Sequence, residues 1–382
     1  MHSTLPLVAL LLIILTSTYA LFTLALWLYW QNIPASRSLE NSPTTRITVI
    51  IPVRNEASHI GELLSDLAQQ THEQNLFEVI VADDGSTDNT PYVLKTFKKN
   101  SQLALTVIEL DQDIRTASPK KRAIETALRR ATGELIVTTD GDCRVGPDWL
   151  ISIAETYRAT GAKLISGPVT FTTETTLTDH LQTVEFSSLI GSGAASISAG
   201  SPSMCNGANL AYEKKTFEEV GGFTGNEHLA SGDDEFLMHK IAERYPGKIH
   251  FIKDRRAIVQ TTSHSSWKDF FQQRKRWASK WKHYKNPVST ALAIYIFICN
   301  AALIAGLILG FTELVSWQYI LLLFAVKWLP EWILIGSILS FLRKSRSIIY
   351  IPVVQVIYPF YVSLFGLAAQ QPKYIWKGRT LR

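Results

Sequence analysis

The sequence predicts an α/β protein built on a mostly parallel sheet, with membrane-spanning helices at both ends. Two observations predict the sheet: short apolar, β-rich runs recur between residues 46 and 170, and amphipathic helical patterns separate them. A third predicts the membrane helices, since long uncharged stretches lie outside that alternating region. The overall composition of the 382 residues, 46% hydrophobic and 19% charged, averages a polar middle with apolar ends and so conceals the division.

Taken in order, Leu5 to Trp30 carries no charge and is long enough to cross about 30 Å of hydrocarbon. The competing reading, a cleaved signal peptide, requires a shorter apolar region preceded by Lys or Arg, and neither occurs. Arg37 and Arg46 follow the segment and no Lys or Arg precedes it, so the positive-inside rule expects the next domain in the cytoplasm. Residues 31–45 read as a polar linker and 46–262 as the α/β domain. Its runs are Ile47 to Val53, Phe77 to Asp83, Leu103 to Leu110, Glu134 to Asp140 and Lys163 to Val169, each apolar enough to be buried on both faces. HIGELLSDLAQQ and KRAIETALRRA are among the helical patterns between them, long enough for parallel crossovers.

Residues 263–287 combine aromatics with closely spaced cations, the pattern of an amphipathic interfacial helix. Residues 288–370 hold three further apolar stretches: Ser289 to Phe311, Trp317 to Leu342 and Ile348 to Ala369. Lys327 and Glu331 interrupt the second, and ionisable groups at that depth face protein or water, or pair with each other. A full crossing by the third would export the basic tail, 371–382, with Lys373, Lys377, Arg379 and Arg382. Pro352 and Pro359 permit a re-entrant or interfacial path instead, and that path is the expectation.

The net charge of +5 is spread over Lys and Arg near the apolar segments, which suits an anionic membrane surface. No nucleic-acid-binding signature competes, so no nucleic-acid partner is expected. The three cysteines, Cys143, Cys205 and Cys299, are too scattered for a disulfide framework or a CxxC metal site.

In open parallel sheets ligands sit beyond the carboxyl ends of the strands, and here those ends are acidic. Asp83 and Asp84 end the second run; Asp140, Gly141 and Asp142 end the fourth. Solvated turns also favour Asp and Gly, but paired carboxylates after a buried strand match the hard oxygen ligands of a divalent cation, which eases departure of a diphosphate. Asp233 and Asp234, in SGDDEFL, are candidates for a base that takes a proton from an acceptor hydroxyl. They also suit a helix N-terminus, and the two roles are compatible.

The ordered set Asp83-Asp84, Asp140-Gly141-Asp142, Asp233-Asp234 and Gln273 to Trp277 (QRKRW) resembles the D, DxD, (E/D)D, QxxRW series of membrane glycosyltransferase family 2, from about Ile47 to Trp277. The resemblance implies a GT-A fold, a Rossmann-like mostly parallel sheet, and inverting transfer from a nucleotide sugar with Mg2+ or Mn2+. By the same resemblance, Pro52, Glu56 and Asp84 are base and ribose contacts and Lys120 lies near the nucleotide. Asp140 and Asp142 lie at the phosphates and metal, Asp234 is the general base beside Asp233, and Gln273, Arg276 and Trp277 serve the diphosphate and acceptor side. The segment from Cys205 to Phe223 is similar to the family's acceptor-side stretch. Asp233 stands where Glu is commoner, and Glu125 replaces a frequent Asn, which weakens the alignment at Lys120.

Processive relatives enclose a channel with more helices than these apolar stretches provide. The tail YIWKGR is similar to the ends of smaller lipid-glycosylating relatives, so a membrane lipid or lipid-linked acceptor is expected, and the resemblance implies a UDP-sugar donor, the family's most frequent choice. A subunit of a polysaccharide synthase and a non-catalytic membrane scaffold are the alternatives.

Overall fold

The computed structural model describes residues 5–35, 44–111, 116–264, 266–279, 287–368, 374–376 and 379–381. The greater part of the expected linker (36–43, with Arg37), residues 280–286, and the tail cations Lys373, Lys377 and Arg382 lie outside the described residues. In chain order the elements are α1 (Leu5–Asn32), β1 (Ile47–Val53), α2 (Ile60–Ala68), β2 (Phe77–Asp83), α3 (Thr90–Asn100), β3 (Leu105–Glu109), α4 (Pro119–Leu128), β4 (Leu135–Thr138) and α5 (Trp149–Thr160). They continue with β5 (Leu164–Ser166), β6 (Val169–Phe171), α6 (Leu177–Ser198), β7 (Leu210–Glu213), α7 (Lys214–Glu219), α8 (Glu235–Arg244), β8 (Ile249–Phe251) and β9 (Val259–Thr261). Last come α9 (Trp267–Ser279), α10 (Pro287–Phe311), α11 (Trp317–Phe341), α12 (Ile351–Ala368), β10 (Tyr374–Trp376) and β11 (Arg379–Leu381).

The chain divides into two compact units. The α/β unit comprises Ile33–Thr173, Ser196–Ser263 and Ile375–Arg382. Its seven-stranded sheet has the order β3-β2-β1-β4-β7-β5-β8. Val49, Ile50 and Ile51 of β1 are fully buried beside Val79 and Val81 of β2 and Ile136 and Val137 of β4, each contributing roughly 1.5–3 kcal/mol by burial. In α2, Ile60, Leu63, Leu64 and Leu67 are buried at helical spacing. α4 starts with Pro119, where the missing N–H costs nothing, and α5 ends at Gly161 with φ +59°, a left-handed cap.

The register positions the site. β1 pairs in parallel with β2 from Ile47↔Phe77 to Val53↔Asp83, and with β4 from Ile47↔Leu135 to Ile50↔Thr138. Segments following Val53, Asp83 and Thr138 therefore leave the sheet at one edge.

Three expectations about the sheet are corrected. The fifth run splits at Gly167-Pro168 into β5 and β6, and β6 pairs with β9 in a separate two-stranded sheet. A Cβ at Gly167 would stand 2.2 Å from the Asn209 amide, and that amide donates to Pro168 O at 2.9 Å and Ala257 O at 2.8 Å. β7 lies antiparallel between β4 and β5, where no strand was expected. β3 is partly exposed rather than buried on both faces, because it is the edge strand.

The helical unit comprises Met1–Asn32, Glu174–Ala195 and His264–Tyr374. Four of its helices are long and apolar enough to cross a membrane: Leu7–Asn32, Ser289–Phe311, Trp317–Phe341 and Ser345–Ala368. Trp30 meets Phe341 edge-on at 5.4 Å. Gly191 lets α6 approach α11, for a Cβ there would stand 1.9 Å from Ile338 Cδ1. Lys327 and Glu331 pair with each other at 2.6 Å, with Lys327 only 1% exposed. Tyr19 Oη donates to Glu331 Oε1 at 2.8 Å, Gln355 Nε2 donates to Oε2 at 3.3 Å, and the Lys327 ammonium lies 5.1 Å from the Tyr19 ring centroid. Of the readings open for these two residues, mutual pairing inside protein is the one observed. Within the last apolar stretch, Ile351–Ala368 is one continuous helix across Pro352, in its first turn, and Pro359, in its interior.

Candidate active site

Asp83 and Asp84 divide their labour. Asp83 Oδ1 accepts from the Ser86 N–H (2.9 Å) and hydroxyl (2.7 Å), building the turn after β2. Asp84 is buried, its backbone N–H donates to Val53 O at 2.9 Å, and its Oδ1 accepts from Arg122 Nη2 at 2.6 Å. Arg54 donates to the backbone carbonyls of Asp84 and Gly85 at 2.5 and 3.0 Å. Asn55 takes φ +54°, a left-handed conformation Asn tolerates, and its Oδ1 accepts from Thr87 N at 2.8 Å. Pro52 is half-buried in β1, opposite Ala82.

Gly141 explains its place between two aspartates. A Cβ there would come within 2.9 Å of both Glu56 Cγ and Val53 Cγ1, so only glycine lets the turn after β4 lie against Glu56. Glu56 is buried, and its N–H donates to Thr90 Oγ1 at 2.8 Å. Asp142 Oδ2 accepts from Thr261 Oγ1, at the end of β9, at 3.1 Å.

Lys120, in the first turn of α4, joins two of the acidic motifs. Its ammonium contacts Asp140 Oδ1 at 2.7 Å and Asp233 Oδ2 at 3.5 Å. Burial opposes the lysine charge, but Asp140, Asp233 and Asp234 outweigh it and hold its pKa well above the ordinary lysine value. Asp234 Oδ1 accepts from Glu235 N at 2.8 Å and caps α8, while Oδ2 accepts from Gly207 N at 3.0 Å. Capping and proximity to the Lys120 cluster thus coexist.

Asp140 and Asp142 offer hard oxygen ligands, and the Asp140 side chain is 38% exposed. Among the described residues no group of three or more His, Cys, Asp or Glu could enclose a metal. The two carboxylates fit an ion that completes its shell with water and substrate phosphate, as Mg2+ does. Cys143 is no nucleophile beside them: burial first, then Asp142 and Asp140, push its thiol up.

Gln273, Arg276 and Trp277 lie on α9 in the helical unit, all partly buried. Of the two positions that the motif leaves unspecified, Arg274 and Lys275, Arg274 is buried.

Several site residues escaped sequence reasoning. Arg54 and Arg122 hold Asp84, and Lys121 donates to Asn226 O at 2.6 Å and Leu229 O at 2.9 Å, tying down the loop before Asp233. The buried Tyr212 hydroxyl has no hydrogen-bond partner among the described residues, and burial, then Asp233, raise its pKa. The run of basic residues in PKKRA marked a cationic segment without singling out Lys121 or Arg122; nothing marked Tyr212.

A family profile described as Glycosyl transferase family 2 matches residues 48–221, and one described as Glycosyl transferase family group 2 matches residues 135–364. The chain is 30% identical over 188 residues to Glycosyltransferase AglE of Haloferax volcanii, covering 49% of this chain and 58% of that protein. It is 23% identical over 257 residues to a Poly-beta-1,6-N-acetyl-D-glucosamine synthase of Staphylococcus epidermidis, covering 64% and 58%. It therefore spans less than two thirds of either relative. Among solved structures, Mannosyltransferase PcManGT from Pyrobaculum calidifontis in complex with GDP-Man and Mn2+ superposes with a TM-score of 0.60 at 22% identity, over 92% of this chain and 99% of that one. That likeness bears on the fold and agrees with the GT-A expectation.

Proposed function

Since the chain belongs to glycosyltransferase family 2, we propose that it is a glycosyltransferase that moves a sugar from a nucleotide sugar, UDP-linked by preference, onto a lipid or lipid-linked acceptor at the cytoplasmic face of a membrane. The observation that carries this reading is Lys120 bridging Asp140 and Asp233, with Asp234 adjacent, at the edge where the parallel strands end. Four helices fit to cross a membrane support an acceptor drawn from the bilayer.

In this reading residues 46–262 are the catalytic domain, 263–287 an interfacial segment and 288–370 membrane segments. Pro52, Glu56 and Asp84 receive the base and ribose, with Arg54 and Arg122 fixing Asp84. Asp140 and Asp142 would hold Mg2+ or Mn2+, whose charge eases departure of the nucleoside diphosphate. Asp234 accepts the proton of the acceptor hydroxyl as that oxygen bonds to the anomeric carbon. The diphosphate leaves from the opposite face, inverting the configuration. Gln273, Arg276 and Trp277 serve the diphosphate and the acceptor.

The test is a panel of sugar nucleotides incubated with the protein and total membrane lipid, followed by mass measurement of products. A lipid gaining a single hexose-sized increment is expected. A ladder of growing saccharide favours the second reading, a polysaccharide synthase subunit, which the similarity to the Staphylococcus epidermidis synthase supports. No product with any donor favours a non-catalytic scaffold.

A further inference from the structure

Arg274 lies within the QxxRW segment at a position the motif leaves open, and its surroundings are more fully built than those of its neighbours. Its side chain is 2% exposed. Nε and Nη2 meet the two oxygens of Glu185, on α6, at 2.9 and 2.5 Å. Tyr361 Oη, on α12, donates to the same Glu185 Oε1 at 2.7 Å. The remaining arm, Nη1, donates to Gln273 Oε1. The guanidinium carbon lies 4.4 Å from the Trp277 ring centroid and 4.6 Å from that of Phe270, and Trp277 stacks on Phe186 at 6.0 Å.

A buried ion pair is a poor way to gain stability, because desolvating both charges carries a penalty that a pair of apolar side chains never incurs. What the pair supplies is geometry. A guanidinium gripped at two points by a carboxylate has one plane and one orientation, and here that plane bears on the indole of Trp277 while its third arm holds the amide of Gln273. Rotation of either motif side chain requires breaking a contact to a group that cannot itself move.

We propose that Arg274 is a positioning residue of the acceptor-side motif: locked by Glu185 and Tyr361, it sets the amide of Gln273 and the indole of Trp277 in the orientation that transfer requires. The proposal rests on the reading of Gln273 and Trp277 given under Proposed function. Lysine at this position keeps the charge but lacks the fork and the flat face, so charge alone does not fulfil the role.

The test uses the full chain in lipid nanodiscs. Arg274→Lys and the paired change Arg274→Met/Glu185→Leu are compared with wild type for thermal midpoint, donor dissociation constant without acceptor, and kcat and acceptor KM of transfer. The paired change strands no charge but leaves the Tyr361 hydroxyl without its acceptor, so its midpoint is expected within about 5 °C of wild type. Transfer kcat/KM is expected to fall about 10- to 100-fold, the scale of a misplaced contact, with donor affinity unchanged. If the paired variant fails to fold, Arg274→Lys decides, with the same loss expected at an unchanged midpoint. Wild-type transfer in either folded variant, or a loss of donor affinity equal to the loss of transfer, overturns the proposal. Failure of the underlying reading shows separately, as absence of transfer by the wild-type chain in the same assay.

Discussion

The α/β unit and the helical unit both pair lysine or arginine with carboxylates, and they do so under opposite conditions. In the α/β unit the Lys120 and Asp140 side chains remain 20% and 38% exposed, and the ammonium is shared with Asp233. Water reaches Asp140, so the partners of this ammonium can exchange when a substrate arrives, although the surrounding carboxylates hold its charge firmly. In the helical unit Lys327–Glu331 and Arg274–Glu185 are sealed from solvent. Tyr19 and Gln355 complete the first, Tyr361 and Gln273 the second. Those charges are committed to fixed geometry. Exposure, more than the presence of an ion pair, separates a site poised for a ligand from a structural clamp.

That contrast can be broken experimentally, and the largest effect is expected at the metal-facing carboxylates. Chelation of divalent ions, or Asp142→Ala, should reduce transfer about a thousandfold or more, the scale of several kcal/mol lost from the reacting charge, with little change in thermal midpoint. Restoring Mg2+ or Mn2+ should recover the chelated wild type and leave Asp142→Ala inactive. Next, Glu331→Leu strands Lys327 and should cost about 3–5 kcal/mol of stability, whereas Lys327→Met/Glu331→Leu should recover most of it. Thermal unfolding in nanodiscs distinguishes the two. Lys120→Met should act on transfer first: transfer falls about 10- to 100-fold, 1.4 kcal/mol per factor of ten, while stability falls less than in Glu331→Leu, because water can solvate the Asp140 carboxylate left behind.

The smallest effect is titration within the α/β unit. Burial lowers the pKa of His72, whose Nε2 lies 3.0 Å from Thr45 O. The unfolded chain therefore binds this proton first, so the stability is fully present above the ordinary histidine pKa and declines as pH falls through it. Acid unfolding of wild type should be steeper below about pH 6.5 than that of His72→Gln.

Legibility in the sequence followed the range of the interactions. Strands β1 and β2 were readable to the residue because a strand buried on both faces is a contiguous apolar run. β5, β7, β8 and β9 hold only three or four residues, too few for a period, and exist through their partners. The acids at the strand ends were readable because parallel register brings those ends to one edge. Lys121 was not, since it binds backbone carbonyls of Asn226 and Leu229, acceptors that every residue type carries. Arg274 was hidden for a different reason: its partner Glu185 lies 89 positions earlier in the chain, and the motif treats its own position as free.

Asp234→Asn tests the central claim most directly, because asparagine caps a helix about as well as aspartate and so separates the base from the cap of α8. Measured together, donor affinity should stay at the wild-type value and stability should fall only by the one backbone N–H bond that an amide nitrogen cannot accept, about 1 kcal/mol, while transfer falls about 10²- to 10⁴-fold. Transfer at the wild-type rate by a folded, donor-binding Asp234→Asn protein would contradict the account.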